Sequence, residues 1–175
     1  RQLLKDTGFP GMKVLEFAFD AGEDSDYLPH KYGTNCVVYT GTHDNDTAEA
    51  GTRHWMNRQE FVREYIGAWY TPEGELHWDL VRAALGSVAD LAVIPVQDYL
   101  GFGTSARINE PSTLGKNWRW RMSGEDLNEE TVKRCRRLAG IYGRLRRSEG
   151  PEFSSQALES ACRYKRFRLF RVGQH

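Results

Sequence analysis

Four adjacent polar side chains, His43, Asp44, Asn45 and Asp46, follow closely on the apolar run Val37, Val38 and Tyr39. The run is β-branched and aromatic and reads as a buried strand, broken at Gly41. Unpaired carboxylates are costly to bury, so core packing does not explain two carboxylates, an imidazole and an amide side by side. A polar cluster just past the carboxyl end of a buried strand is where α/β barrels place their chemistry. Mixed His and Asp ligands at loop ends also suit a divalent metal. His43, Asp44 and Asp46, joined by His30 or His54, would then serve a metal-dependent hydrolase, although their spacing matches no closed ligand set. The plainest alternative is helix capping, which is the favoured reading for Asp46 and the weaker one for Asp44. His30 reads as a structural loop histidine.

The elements that must position this cluster alternate along the chain. Arg1 to Thr7 reads as the end of a helix, closed by Gly8, Phe9, Pro10 and Gly11. Met12 to Phe17 reads as a first strand, and a polar loop runs from Asp20 to Asn35. After the second strand, Thr47 to Gly67 is helix-rich, with Phe61, Val62, Tyr65 and Ile66 at helical spacing. Trp78, Val81, Leu85 and Val88 predict a clearer helix over Leu76 to Val88. Leu91 to Ile94 is a third strand, ended by Pro95. Strands that are almost wholly apolar, separated by helices, predict an α/β fold with a parallel sheet. The Gly- and Asn-rich stretch from Gly101 to Arg121 is long enough to predict a functional loop. Asn128 predicts an N-cap, with Glu129 and Glu130 in the first turn of a helix through Tyr142. Arg144, Arg146 and Arg147 suit its C-terminal end.

The chain has 175 residues, enough for one ordinary core, and its 24 basic residues balance 24 acidic ones. No global field therefore points toward nucleic acid or a membrane. Five Trp and eight Tyr suit either a core or a site where rings stack on pyranose faces. The three cysteines, Cys36, Cys135 and Cys162, lack C-x-x-C spacing, which predicts a reducing, cytoplasmic setting. No charged-then-apolar leader and no apolar run near 18 residues is visible, so neither secretion nor membrane spanning is expected. The first residue is Arg1 rather than Met, as expected of a processed chain or a piece of a longer one.

Five motifs in order carry a resemblance. They are G-F-P-G-M-K-V-L-E-F-A-F from Gly8, Y-L-P-H-K-Y from Tyr27, Y-T-G-T-H-D-N-D-T from Tyr39, A-R-I-N-E-P from Ala106 and N-W-R-W-R from Asn117. Over residues 1–147 the chain closely resembles the C-terminal part of the 4-alpha-glucanotransferases, the amylomaltase or disproportionating-enzyme family. The resemblance implies the C-terminal portion of a (β/α)8 TIM barrel, with the three strands as about the sixth to eighth. It also implies retaining transfer of α-1,4-glucan segments between maltooligosaccharides, with no cofactor. Such a reaction needs a nucleophilic carboxylate and an acid/base carboxylate about 5 Å apart. In the family these follow the fourth and fifth strands, so both are expected upstream of Arg1 and the isolated chain is expected to be inactive.

By the same resemblance Asp44 is the third carboxylate, the transition-state stabiliser, and His43 is a neighbouring donor to the same sugar. Asn45 and Asn109 are expected to bind substrate through their amides. Trp118 and Trp120 read as packing more readily than as sugar platforms, and Arg119 and Arg121 as a solvated or salt-bridged face. A non-catalytic glucan-binding module is a further reading. Three strands of an eight-stranded barrel are expected to leave two edges unpaired, with Val37, Val38, Leu91, Val93 and Ile94 meeting water or another chain. Residues 148–175 do not resemble the family. Their Arg163, Lys165, Arg166, Arg168 and Arg171 lie among aromatics, a pattern that can touch nucleic acid. The simpler expectation is an unrelated extension, disordered or loosely helical.

Overall fold

The computed structural model describes residues 2–21, 24–55, 58–145 and 167–169. Its centre is a four-stranded sheet of β1 (Gly11–Val14), β2 (Cys36–Tyr39), β3 (Leu91–Ile94) and β4 (Phe167–Leu169), in that spatial order. Each neighbouring pair is parallel, with Val14 opposite Tyr39 and Tyr39 opposite Val93. Parallel pairing puts the carboxyl ends of all the strands on one side, so the loops that leave them meet there.

The helices are α1 (Gln2–Thr7), α2 (Leu15–Ala21), α3 (Ala48–His54), α4 (Gln59–Ile66), α5 (Leu76–Gly86), α6 (Val96–Leu100) and α7 (Glu129–Ile141). One hydrophobic cluster joins Leu15 and Phe19 of α2, Val38 and Ile94 of the sheet, Val81 of α5 and Leu138 of α7. Full burial of each such aliphatic or aromatic side chain contributes about 1.5–3 kcal/mol. Caps fix where two of the helices begin. Thr47 Oγ1 accepts from Ala50 N–H at 3.3 Å, and Asn128 Oδ1 accepts from Thr131 N–H at 2.9 Å. Each satisfies a donor that the first helical turn leaves without an intrahelical partner.

The structure departs from the sequence reading in several places. β1 stops at Val14, and Leu15 to Phe17 belong to α2 rather than to the strand. α5 stops at Gly86, and Val88 is exposed. The five-residue α6 after Pro95 was not expected, and the polar loop holds a 3-10 turn at Pro29–Lys31. Val38, Val93 and Ile94 are buried rather than open to water, Val38 and Ile94 within the cluster that the helices share, while Val37 and Leu91 are half-buried. β3 also has a partner on its outer edge, since residues 167–169 of the tail run as strand rather than as coil or helix. The rest of the tail expectation falls on residues outside those described. Among the described residues no strand pairs with the outer edge of β1, and no helix is long and apolar enough to cross a membrane.

Candidate active site

The loop from Thr40 to Thr47 leaves β2 and enters α3. Asn45 shapes its turn: its side-chain oxygen accepts from Thr42 N–H at 3.0 Å and from the Thr42 hydroxyl at 2.7 Å. Asp44 N–H in turn points to Thr42 Oγ1 at 3.3 Å. This is the local side-chain bonding that Asn and Thr use to build turns, and it spends the Asn45 carbonyl. The Asn45 NH2 is the part left to donate elsewhere.

His43 and Asp44 stand about half exposed at the top of this turn, with His43 Nε2 3.3 Å from Asp44 Oδ2. The segment after α6 comes across to meet them. Asn109 Nδ2 donates to Asp44 Oδ1 at 2.6 Å, and Asn109 N–H donates to the His43 carbonyl at 3.1 Å. Arg107 bridges the two segments, donating to the Asp44 carbonyl at 2.7 Å and to the Asn109 carbonyl at 2.9 Å. Beyond it the chain makes an excursion that Trp118 N–H closes on the Ile108 carbonyl at 2.7 Å. Asn117 braces the excursion from inside, accepting from Glu110 N–H and donating to the Thr113 carbonyl. The half-exposed Trp118 ring lies 5.1 Å from the His43 ring, centre to centre, and Trp120 packs at 6.3 Å from Phe102. Trp118 thus borders the site, while Trp120 packs as expected.

Asp46 is not the cap of α3. Thr47 has that role, and Asp46 accepts from Thr47 N–H at 2.8 Å and from the Thr104 hydroxyl at 2.9 Å. Both of its oxygens are therefore engaged. His30 binds the Tyr65 hydroxyl through Nδ1 at 2.9 Å, away from the loop, in keeping with a structural histidine. Among the described residues no three of His, Cys, Asp and Glu are grouped so as to hold a metal ion. Among these residues the metal-hydrolase reading finds no ligand group.

Under the loop lie two carboxyls that the sequence reading passed over. Asp98, on α6, is buried; its Oδ1 accepts from Ala48 N–H at 2.8 Å and its Oδ2 from the Thr40 hydroxyl. Burial pushes its pKa up to about 6, against the pull of those two bonds. Glu16, on α2, is buried beneath Gly41 and has one oxygen without a hydrogen-bond partner. Burial, with Asp98, Asp46 and Asp20 nearby, pushes its pKa up to about 9 even with Arg107 pulling the other way. Glu16 is therefore a neutral acid near pH 7. A signal for it existed: one acid interrupts the apolar run from Val14 to Phe19.

Comparison with known proteins decides the family. The sequence model of the 4-alpha-glucanotransferases matches residues 1–128. The chain belongs to the 4-alpha-glucanotransferase family. It is 42% identical over 140 residues to the 4-alpha-glucanotransferase of Clostridium butyricum, covering 80% of this chain and 29% of that one. It is 43% identical over 144 residues to the 4-alpha-glucanotransferase of Thermus thermophilus, covering 79% and 29%. Among solved structures, the amylomaltase of Streptococcus agalactiae in complex with acarbose superposes with a TM-score of 0.77 at 32% identity, over 82% of this chain and 29% of that one. The chain thus spans under a third of these glucanotransferases, and the matched span contains the loop with Asp44 and the segment with Asn109.

Proposed function

We propose that these residues are the C-terminal portion of a (β/α)8-barrel 4-alpha-glucanotransferase, about strands six to eight, that transfers α-1,4-glucan segments between maltooligosaccharides with retention. The observation that carries this reading is the Asp44 carboxylate. It stands half exposed at the carboxyl end of a parallel sheet, held by His43 and Asn109, inside a segment that matches the family. The acarbose complex of the Streptococcus agalactiae amylomaltase supports a saccharide ligand. The free cysteines Cys36 and Cys135 suit a cytoplasmic setting.

Asp44 acts on the sugar whose bond is cleaved. As that ring flattens toward an oxocarbenium ion its hydroxyls become more acidic, so a carboxylate acceptor binds the transition state better than the ground state. Holding Asp44 in place beforehand removes the cost of reorganising it during reaction. His43 and the second N–H of Asn109 donate to the same or a neighbouring ring, and the Asn45 NH2 does so from the turn. Displacement at the acetal carbon runs through carboxylates alone and calls for no cofactor. Of the carboxylates packed around the loop, Glu16 and Asp98 are buried and Asp46 is bonded through both oxygens. The nucleophile and the acid/base group are then supplied by other residues of the full-length protein.

Incubating the full-length protein with maltotriose tests this. The expected products are glucose and a ladder of longer oligomers; hydrolysis without chain lengthening contradicts the transferase reading. Residues 1–175 alone are expected to give neither. Sugar transfer by the isolated chain would place the catalytic pair within it.

A further inference from the structure

We propose that Asp98 is a positioning residue for Asp44, a single buried carboxylate that holds both ends of the loop on which Asp44 stands. This rests on the role given to Asp44 above. Thr40, which donates to one oxygen of Asp98, is the first residue of the loop after β2; Ala48, which donates to the other, is the first residue of α3 beyond it. The residues between them include His43, Asp44 and Asn45. Asp98 itself is only 1% exposed, so it touches no sugar and acts through the loop.

A packing role alone does not account for a carboxylate here. Taking a charge out of water costs several kcal/mol, and an apolar side chain of similar size fills a core without that cost. What a carboxylate adds is two charge-assisted bonds in fixed directions. Both reach the same loop from a different βα unit. The same segment grips the loop a third time, where Thr104, four residues past α6, bonds Asp46. From below, Glu16 presses on it: a Cβ at Gly41 would lie 2.8 Å from Glu16 Oε1, and Glu16 N–H donates to the Thr40 carbonyl at 3.1 Å. A loop held at both ends, in the middle and from beneath presents Asp44 in one place. Displacing such a group by about 1 Å costs on the order of a hundredfold in rate.

Thr40 gives the test, because its hydroxyl can be removed without emptying the site. In the full-length protein Thr40→Val keeps the shape and deletes the donor, while Thr40→Ser keeps the donor. The clamp predicts a kcat about tenfold or more lower in Thr40→Val, with KM changed less than about twofold, and a Thr40→Ser variant close to the parent. Amide exchange over residues 41–48 should quicken in Thr40→Val while β2 and β3 exchange at the parent rate. Asp98→Asn should show the same pattern more strongly; if it does not fold, the Thr40 pair still decides. The proposal is overturned if Thr40→Ser is as impaired as Thr40→Val, if exchange rises equally through the sheet, or if kcat stays at the parent value while the loop loosens. A parent that transfers no glucan overturns the functional reading alone, and the exchange comparison then decides whether the clamp exists.

Discussion

At the entry to β3 a guanidinium does what a carboxylate does at its exit. Arg144, buried just after α7, donates to the carbonyls of Leu85 at 2.6 Å, Ser87 at 2.9 Å and Ala89 at 3.1 Å. These carbonyls end α5 and begin the turn into β3, and they would otherwise lack partners away from water. Asp98 ties the far end, where Thr40 and Ala48 bracket the Asp44 loop. Each is one buried charge satisfying neutral groups, and they serve different ends. The amino side of a parallel unit settles whether it folds, and the carboxyl side settles what it does. Substitutions on the two sides should therefore fail in different ways.

The largest effect is expected at the exit. Asp44→Asn in the full-length protein should lower kcat by about two powers of ten or more, on the order of 3 kcal/mol, with substrate binding and melting temperature little changed. Near-normal turnover in steady-state assays would sink the role of Asp44. At the entry, Arg144→Ala should cost about 2–4 kcal/mol of stability, because two buried carbonyls and a part-buried one lose a charged donor. The folded fraction should keep its kcat. A variant that melts normally but turns over slowly would reverse the comparison.

Glu16 sharpens it through pH. Its folded pKa, about 9, lies above the ordinary value of 4.5. The stability it contributes is therefore full below pH 4.5 and is lost as pH rises through 9. Glu16→Gln should remove that slope, narrowing the stability difference between about pH 6 and pH 8 by about 2 kcal/mol. Denaturant melts at the two pH values measure it, and an unchanged slope would mean that Glu16 is ionised in the folded protein. The smallest effect belongs to neither end. Asn128→Ala removes the cap of α7 and should cost about 1 kcal/mol, with no change in kcat; a loss of activity there would tie the outer helix to the site.

The frame was legible where one signal stood alone. Leu91 to Ile94 is an unbroken apolar run stopped by Pro95, and it is β3 to the residue. Asn128 ahead of two glutamates is a cap and nothing else. β1 ends three residues earlier than its apolar run suggests, because the buried face of α2 carries that run past Val14 with only Glu16 between Leu15 and Phe17. The short α6 escaped because five residues carry too little periodicity. In the site, His43, Asp44 and Asn45 were legible because a dense polar cluster outside a strand is conspicuous, whereas Asn109, which comes across to bond Asp44, was reached only through the family motif. Asp98 and the buried partners of Arg144 were not legible, for one reason. A charged side chain among apolar neighbours gives no sign in sequence of whether it faces water or a buried partner 50 or more residues away, as Asp98 and Arg144 do.

The bond that closes Trp118 on Ile108 has a consequence for how this surface could be rewritten. Everything that steadies Asp44 from this segment is made by Arg107 and Asn109, at the root of the excursion. The tip beyond is exposed at Leu114 and turns at Ser112 and Gly115, both with positive φ. Residues 111–116 thus form a cassette with its own brace in Asn117 and a fixed base. Its length and sequence can be exchanged, as hairpin tips are in grafting, while the carboxylate at its foot keeps its place.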